Sequence, residues 1–268
     1  MSETHIPTEL ADIRGVLLDL DGTLYVSGAL LPRTPDLFAA LRQREIPFLC
    51  LTNNSSRRSS DYVTKLRTLG VEVAPHQVLT SGEATIHHVL TSTPHRSAFV
   101  VGTEAFRAEV AESGIDLDEE KPDCLIVAYD TDLDYAKLSV ATRLLFADTP
   151  YFATHPDLTC ISDAGLLPDI AATIEGLAAV TGRRPRILGK PELPMVAAAA
   201  ARLGLPIKAL AMVGDQLDTD MTMAARHGLL GILVLSGETS RGSLEASSIQ
   251  PDLVISDVGV LAERILNI

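Results

Sequence analysis

The sequence lacks the features that mark secreted, disulfide-bonded and membrane proteins. Its 268 residues include three cysteines, Cys50, Cys124 and Cys160, which lie far apart. An odd and scattered set predicts neither a disulfide framework nor a metal cluster, so we expect buried, reduced thiols. The opening stretch MSETHIPTEL has no basic-then-apolar leader, and no apolar run approaches the roughly 20 residues that a membrane helix needs. We therefore expect a cytoplasmic protein with no membrane partner.

Basic residues are also scarce. The chain has 22 Lys and Arg against 35 Asp and Glu, which gives a formal net charge of −13. Without a block of Lys or Arg to neutralise phosphates, we expect no nucleic-acid polymer as partner. A small phosphorylated ligand is still allowed, because one metal ion or lysine can outweigh the global field. Hydrophobic residues make up 46% and charged residues 21%, which is typical of a globular protein with one large or two modest domains.

Short apolar runs alternate with helical patterns along most of the chain. Residues 16–18 and 47–52 have the pattern of buried strands, and 34–44 and 59–69 that of helices. This order predicts right-handed crossovers and a parallel sheet. A second alternating set begins near Ala98, and the outer pattern resumes after Arg186, so the middle block reads as an insertion. Within that block, DLDEEKP at 116–122 is expected to be a solvated connector.

Two aspartates, Asp19 and Asp21, come directly after the first predicted strand, and Gly22 ends that strand. In an open parallel sheet, this edge is where ligands bind. Two neighbouring carboxylates repel each other unless a cation holds them, so the pair indicates a divalent metal and chemistry on an anion. The alternative is an ordinary Asp-rich turn, and DLDG alone favours neither interpretation.

Three more polar motifs fall at strand or loop ends. TNNSS at 52–56 follows the second predicted strand, Lys190 lies in a Gly-Lys-Pro loop, and GDQLDTD at 214–220 follows the apolar run ALAMV. Each alone has an ordinary explanation as a turn, a solvated lysine or a helix cap. Because all four motifs fall at such ends of one predicted sheet, they predict a single cleft.

In this order the four motifs resemble those of the haloacid dehalogenase-like hydrolase superfamily, and specifically its subfamily IIA of para-nitrophenyl-phosphatase and NagD-like phosphatases. DLDGT at 19–23 matches the first motif, Thr52 the second, Lys190 the third and GDQLDTD the fourth. The resemblance implies a doubly wound three-layer α/β/α parallel-sheet core with an inserted α/β cap domain. The implied catalytic core is 1–81 and 188–268, and the implied cap, which selects the substrate, is 82–187.

The resemblance also implies what each motif residue does. Asp19 is the nucleophile that forms an aspartyl-phosphate, and Asp21 protonates the leaving alkoxide and then activates water. The implied cofactor is Mg²⁺, held by Asp19, the backbone carbonyl of Asp21, and Asp215. Thr52 and Lys190 are implied to hold the phosphoryl group, and Asp220 is implied to position metal-bound water or Lys190. The remaining implied phosphate-binding positions are Asn53, Asn54, Gln216, Leu217, Asp218 and Thr219.

The implied activity is Mg²⁺-dependent hydrolysis of small phosphorylated metabolites: nucleoside monophosphates, or sugar, triose or glycerol phosphates. A proton-transferring group at Asp21 favours a phosphatase over relatives that cleave carbon–halogen bonds. A phosphotransferase or mutase on the same scaffold stays open, because the aspartyl-phosphate can pass to another hydroxyl. A non-catalytic, receiver-like phosphate-binding module ranks lower, because receivers are shorter and have no inserted cap.

Four residues of the implied cap are candidates for substrate selection: Asp130, His155, Asp157 and Asp169. His155 stands where relatives more often have Asn, and it is expected to be either a substrate contact or a helix-capping residue. Asp169 is expected either to repel highly anionic substrates or to hydrogen-bond a polyol hydroxyl. Relatives often pair through their caps, so a homo-oligomer through the cap is an option that the sequence leaves open.

Overall fold

The structure is a computed structural model that describes residues 10–26, 28–162 and 165–267. Of the opening stretch searched for targeting signals, all residues before Leu10 lie outside the described ones. The strands, numbered along the chain, are β1 (Gly15–Asp19), β2 (Tyr25–Val26), β3 (Ala29–Leu30), β4 (Phe48–Thr52), β5 (Val78–Thr80), β6 (Ser97–Val101), β7 (Asp116–Leu117), β8 (Cys124–Val127), β9 (Tyr151–Ala153), β10 (Thr159–Ser162), β11 (Gly165–Pro168), β12 (Arg186–Ile187), β13 (Leu210–Gly214), β14 (Leu230–Val234) and β15 (Leu253–Ile255).

The helices alternate with these strands. They are α1 (Thr34–Gln43), α2 (Ser59–Thr68), α3 (Ser81–Ser92), α4 (Glu104–Glu112), α5 (Tyr135–Phe146), α6 (Ile170–Thr181), α7 (Leu193–Leu203), α8 (Thr222–His227), α9 (Arg241–Ala246) and α10 (Val258–Leu266). None of these helices, taken over the described ranges, is long and apolar enough to cross a membrane.

The chain divides into two compact units. The first unit comprises the chain up to Thr52, Tyr62–Leu79, and the chain from Val196 onward. The second unit comprises Asn53–Asp61 and Thr80–Met195. The divisions therefore fall directly after β4 and inside α2, β5 and α7. The predicted core and cap boundaries at 81/82 and 187/188 stay predictions.

The first unit contains a six-stranded sheet in the order β15-β14-β13-β1-β4-β5. Strand β1 pairs in parallel with β13 on one side and with β4 on the other. Every residue of β1, β4 and β13 is buried, which explains why their sequences are apolar on both faces. From β1 the chain first extends the sheet on one side and later returns to extend it on the other. The strand order thus reverses beside β1, which is the position where sheets of this class bind ligands.

The second unit contains a five-stranded parallel sheet in the order β12-β9-β8-β6-β7. Along β6, alternate residues face two different apolar clusters, as strand geometry requires. Ala98 and Val100 pack with residues of α3 and α4, whereas Phe99 and Val101 pack with residues of α5 and α6. These two sheets with helices between their strands confirm the predicted parallel α/β class.

The structure corrects the sequence interpretation at two places in the second unit. The segment 116–122, expected to be a solvated connector, begins with β7, which pairs in parallel with β6. Helix α3 was not predicted at all. Its start is marked by a capping box, because the Thr80 hydroxyl accepts from the Glu83 backbone and the Glu83 carboxylate accepts from the Thr80 backbone. The three cysteines are free thiols, and Cys50 and Cys124 are buried as expected, whereas Cys160, also expected to be buried, is partly exposed.

Candidate active site

Asp19 is the last residue of β1, the strand beside which the sheet order reverses. The apolar residues before it bury the strand, and Asp19 itself is 8% exposed. Nearby, the thiol of Cys50 on β4 has its pKa raised to about 12, first by burial and then by the negative charge of Asp19. Strand β1 thus carries a charged side chain into an interior that otherwise disfavours negative charge.

Three buried carboxylates cluster at this point. Asp19, Asp215 and Asp220 each contribute an oxygen atom, and these atoms lie within 4.8 Å of one another. Two unit charges this close repel each other by roughly 3 kcal/mol at an effective dielectric constant of about 20. A divalent cation converts that mutual repulsion into attraction, and carboxylate oxygens are the hard ligands that Mg²⁺ and Ca²⁺ prefer. The donor set therefore fits a divalent metal.

Two hydrogen bonds and two closely packed glycines fix the position of the Asp215 carboxylate, which follows β13. The Thr23 hydroxyl donates to Asp215 Oδ1 at 3.2 Å, and the Glu238 backbone N–H donates to Oδ2 at 2.7 Å. Two glycines leave room for the carboxylate: a Cβ on Gly22 would lie 2.2 Å from Oδ2, and one on Gly237 would lie 2.0 Å from it. Gly22 also has a φ of 85°, which disfavours any other residue. The DLDGT motif therefore shapes the pocket around Asp215 as well as carrying Asp19.

Asp220 reaches the cluster through an unusual turn. A π-helical turn over Leu217–Met221 precedes α8. Asp220 Oδ2 accepts from the Gln216 backbone N–H at 3.2 Å, and a Cβ on Gly214 would lie 2.1 Å from the same oxygen. Wide turns of this kind often occur at functional sites, where they redirect a side chain. Of the other predicted residues of the turn, Asp218 is exposed. The Thr219 hydroxyl donates to Gln216 Oε1 at 2.8 Å.

Asp21 makes a different set of contacts. Its side chain is about half exposed, Tyr25 donates its hydroxyl to Oδ2 at 3.1 Å, and Lys65 Nζ lies 4.0 Å from Oδ1. The Lys65 ammonium also lies 3.8 Å from the centre of the Tyr25 ring, a cation–π geometry. Burial, followed by the charge of Asp21, raises the pKa of Tyr25 well above its usual value, so the phenol stays protonated and donates. Asp21 is thus oriented by two neighbours that the sequence analysis did not single out.

The TNNSS motif begins at the buried end of β4 with Thr52 and continues into the second unit. Within that unit, Asn54 closes a tight turn, because its Oδ1 accepts from the Ser56 backbone N–H at 3.0 Å and from the Ser56 hydroxyl at 2.7 Å. The Ser55 hydroxyl is buried and accepts from the Tyr129 backbone N–H at 3.0 Å. The Thr103 hydroxyl donates to the Ser56 carbonyl at 3.0 Å. The loop is therefore anchored at each residue, as a preorganised binding loop must be.

Asn53 and Lys190 are brought together inside the second unit. The Lys190 backbone N–H donates to Asn53 Oδ1 at 2.8 Å, and Asn53 Nδ2 donates to the Lys190 carbonyl at 3.1 Å. Asn53 Nδ2 also donates to Asp157 Oδ1 at 3.0 Å. A Cβ on Gly189 would lie 2.3 Å from the Thr154 carbonyl oxygen, so the Gly-Lys-Pro motif needs its glycine for close packing. Burial raises the pKa of Asp157, and the positive charge of Lys190 is among the effects that oppose the shift.

The remaining candidates of the second unit are all bonded internally. His155 is fully buried, and its Nε2 lies 3.0 Å from Asp169 Oδ1. Asp169 also caps α6, because the Ile170 backbone N–H donates to the same oxygen. The Asp130 carboxylate is buried and lies 2.7 Å from Lys137 Nζ. His155 and Asp169 thus form a buried hydrogen-bonded pair, whereas Asp130 forms a separate ion pair with Lys137.

Several residues of the candidate site were not among those predicted. Thr23 carried a signal, since it stands in the DLDGT motif. Tyr25 and Lys65 carried none, because forty positions separate them and only the fold brings them together. Glu238 contributes a backbone N–H, which sequence patterns do not mark.

Comparison with known proteins identifies the family. Residues 16–116 match the family described as haloacid dehalogenase-like hydrolase, and residues 187–261 match a second family of similar hydrolases. The chain is 29% identical to the acid sugar phosphatase of Staphylococcus haemolyticus over 252 residues, which cover 94% of this chain and 96% of that protein.

Solved structures agree with this similarity. The 4-nitrophenylphosphatase of Thermotoga maritima is 38% identical and superimposes with a TM-score of 0.90 over 94% of this chain and 97% of that one. The glycerol phosphate phosphatase of Mycobacterium tuberculosis, solved with calcium, is 28% identical and superimposes with a TM-score of 0.86 over 96% of this chain and 75% of that one.

Proposed function

Because this chain belongs to the haloacid dehalogenase-like hydrolases, in their NagD-like subfamily IIA, we propose a magnesium-dependent mechanism for its activity as a phosphoric monoester hydrolase. Its substrates are small phosphorylated metabolites: nucleoside monophosphates, or sugar, triose or glycerol phosphates. The observation that carries the proposal is the cluster of buried carboxylates at Asp19, Asp215 and Asp220. Such a cluster at the ligand-binding edge of a parallel sheet suits a cation and a bound phosphate together.

Asp19, Asp215 and the backbone carbonyl of Asp21 would hold the Mg²⁺, and an Asp220 oxygen lies within 4.8 Å of oxygens of Asp19 and Asp215. When bound, the ion neutralises the negative charge of the phosphate dianion so that an anionic nucleophile can approach it. Thr23 and the Glu238 backbone fix the orientation of Asp215 through the hydrogen bonds at 3.2 and 2.7 Å. Such bonds to a metal ligand commonly decide both its geometry and its affinity.

Asp19 performs the first chemical step. Its carboxylate oxygen attacks phosphorus, the bond from phosphorus to the leaving oxygen breaks, and Asp21 gives that oxygen a proton. In the second step Asp21 removes a proton from water, the water oxygen attacks phosphorus, and the bond from Asp19 to phosphorus breaks. Inorganic phosphate leaves and both carboxyl groups return to their starting states. The half-exposed position of Asp21, turned toward Tyr25 and Lys65, suits a group that exchanges protons with substrate and water.

The phosphoryl group is held by hydroxyl, amide and ammonium donors. We assign this role to Thr52, Asn53 and Lys190, because donors placed where charge accumulates stabilise the transition state. Asn54 and the loop Gln216–Thr219 complete the proposed phosphate site. The segment 82–187 is proposed as the cap that selects among substrates, with Asp130, His155, Asp157 and Asp169 shaping it from within.

Replacing Asp19 tests the mechanism. We expect Asp19→Asn to abolish hydrolysis of 4-nitrophenyl phosphate, because an amide is a poor nucleophile and a weaker cation ligand. Asp21→Asn should give a burst of nitrophenolate and then stall, because this leaving group needs little protonation but the aspartyl-phosphate still needs a base. The exposed carboxylate variant Asp12→Asn serves as the matched control. Steady turnover by Asp19→Asn would contradict the covalent mechanism.

Chelation tests the metal. EDTA should silence the enzyme and added Mg²⁺ should restore it, because the clustered carboxylates repel one another and the phosphate without a cation. Hydrolysis that continues in EDTA would contradict the assigned metal site. A panel of nucleoside, sugar, triose and glycerol phosphates, compared by kcat/KM, identifies the substrate.

A further inference from the structure

A chain of buried hydrogen bonds in the second unit connects the start of α6 to the loop after β4. Asp169 Oδ1 lies 3.0 Å from His155 Nε2, and His155 Nδ1 lies 2.9 Å from Thr154 Oγ1. Thr154 Oγ1 lies 2.9 Å from the hydroxyl oxygen of Ser55, which accepts from the Tyr129 backbone N–H at 3.0 Å. Asp169, His155, Thr154 and Ser55 are all buried. We call these four residues the relay.

With a neutral His155 ring, the available hydrogens set the direction of every bond in the relay. An ionised carboxylate can only accept, so His155 Nε2 carries the hydrogen that is donated to Asp169. In the neutral ring Nδ1 then accepts, and its donor is the Thr154 hydroxyl. Thr154 accepts in turn from the Ser55 hydroxyl. The Ser81 hydroxyl, 3.5 Å from His155 Nδ1, is committed to the Asn53 carbonyl. Each hydrogen thus has one acceptor, and the relay has a single arrangement with neutral His155.

The relay ends in the loop that we have proposed as part of the phosphate site. Ser55 lies between Asn54 and Ser56, which form the tight turn described above. A second set of hydrogen bonds runs through Ser81, whose hydroxyl donates to the Asn53 carbonyl. The Asn53 side chain in turn accepts from the Lys190 backbone N–H. His155 itself is fully buried and bonded at both ring nitrogens, so it acts on bound phosphate through these neighbours.

We propose that His155 is a positioning residue: by accepting from Thr154 it fixes Ser55 and the phosphate-binding loop, and so sets the affinity for the phosphate group of every substrate. The proposal rests on the proposed function of this loop. It differs from a role confined to supporting α6, in which only the bond from His155 to Asp169 would matter. The two roles use opposite ring nitrogens, and substitution can separate them.

Asparagine and glutamine each replace one of the two nitrogens. In His155→Asn the amide oxygen can take the place of Nδ1 and accept from Thr154, but the side chain is too short to reach Asp169. In His155→Gln the amide nitrogen can take the place of Nε2 and donate to Asp169, but no acceptor is left for Thr154. Thr154→Val and Ser55→Ala break the same path at the next two steps.

The assay measures KM and kcat for 4-nitrophenyl phosphate and the competitive inhibition constant of inorganic phosphate. We expect His155→Gln and Thr154→Val to raise KM and the inhibition constant together by about tenfold, the effect of one lost buried hydrogen bond. We expect kcat to stay within about threefold and His155→Asn to remain within about twofold of the wild type in both constants. The double variant His155→Gln with Ser55→Ala should lose no more phosphate affinity than either single variant, because the two substitutions break the same path.

Two controls keep folding and phosphate binding apart. Thr85→Val removes a buried hydroxyl whose hydrogen bond lies within α3, and His88→Asn changes a buried histidine whose Nε2 has no partner among the described residues. Both should leave the inhibition constant of phosphate unchanged. If His155→Gln does not fold, Thr154→Val tests the same step.

Two results would overturn the proposal. Unchanged phosphate inhibition in Thr154→Val would remove the relay from phosphate binding. A larger effect of His155→Asn than of His155→Gln on phosphate inhibition would confine His155 to supporting α6. A wild-type chain that hydrolyses no phosphate ester would instead refute the proposed function, which the wild-type assay reveals before any variant is made.

Discussion

Thr23→Val tests what hydrogen bonding to Asp215, the proposed metal ligand, contributes to this site. Thr23 is fully buried, and its hydroxyl donates to Asp215 Oδ1 at 3.2 Å. Valine has nearly the same shape, so the substitution removes the donor without leaving a large cavity. Asp215 keeps the Glu238 backbone N–H on its other oxygen, but Oδ1 loses the Thr23 donor.

The size of the effect follows from these contacts. Leaving a buried acceptor without its donor costs about 1–3 kcal/mol. For a chain of this size, we expect each kcal/mol to lower Tm by roughly 2–4 °C. Loss of a hydrogen bond to a metal ligand typically weakens metal affinity by about 10–100-fold. We therefore expect the Mg²⁺ concentration for half-maximal activity to rise by about that factor, with kcat at saturating Mg²⁺ within about threefold of the wild type.

Thr34→Val is the matched control. Thr34 is equally buried in the same unit, and its hydroxyl donates to the Leu24 carbonyl at 3.0 Å. It should lose a similar amount of stability while its Mg²⁺ requirement stays unchanged. The assay is a Mg²⁺ titration of 4-nitrophenyl phosphate hydrolysis together with thermal unfolding in EDTA. Equal stability loss in both variants, with an unchanged Mg²⁺ requirement in Thr23→Val, would refute the reasoning.

Two further predictions use other features of the structure. Gly237→Ala places a Cβ 2.0 Å from Asp215 Oδ2 and should reduce activity by at least about 100-fold. Gly176→Ala, with open space around it, is the control and should not reduce activity. Equal activities of the two variants would contradict the assigned pocket around Asp215. Burial raises the pKa of Asp157 in the folded protein above its value in the unfolded chain. The free energy of unfolding therefore falls as the pH rises from the unfolded pKa through the folded pKa and the buried carboxyl group ionises. We therefore expect Asp157→Asn to unfold at a higher temperature than the wild type at pH 7 and the difference to shrink toward pH 4; a constant difference would contradict this assignment.

Much of the fold was predictable because its strands are buried on both faces. Strands β1, β4 and β13 are apolar at nearly every position, and such runs between helical patterns indicate a parallel sheet. The two-residue strand β7 was missed, because so short a strand depends on its pairing with β6 rather than on its own residues. Helix α3 was missed even though Thr80 and Glu83 carried the signal of a capping box.

The site was predictable to the extent that motifs stand at strand ends. Asp19 ends β1 and Asp215 follows the neighbouring strand β13, and parallel strands place their carboxyl ends at one edge. That Asp220 joins their carboxylates depends on a π-helical turn, which the sequence did not indicate. The contact of Lys65 with Asp21 and Tyr25 joins distant parts of the chain, and no local pattern encodes it.

The sequence by itself determined the class of fold, the family and the reaction type, because apolar periodicity and closely spaced polar motifs are local properties. The tertiary structure alone decided which polar groups meet. It turned the side chain of Asp21 toward Tyr25 and Lys65 and brought Asp220 to Asp19 and Asp215. It also buried His155 between Asp169 and Thr154. Hydrogen bonds and charge pairs act over a few ångströms in space, so they depend on packing between elements far apart in the chain.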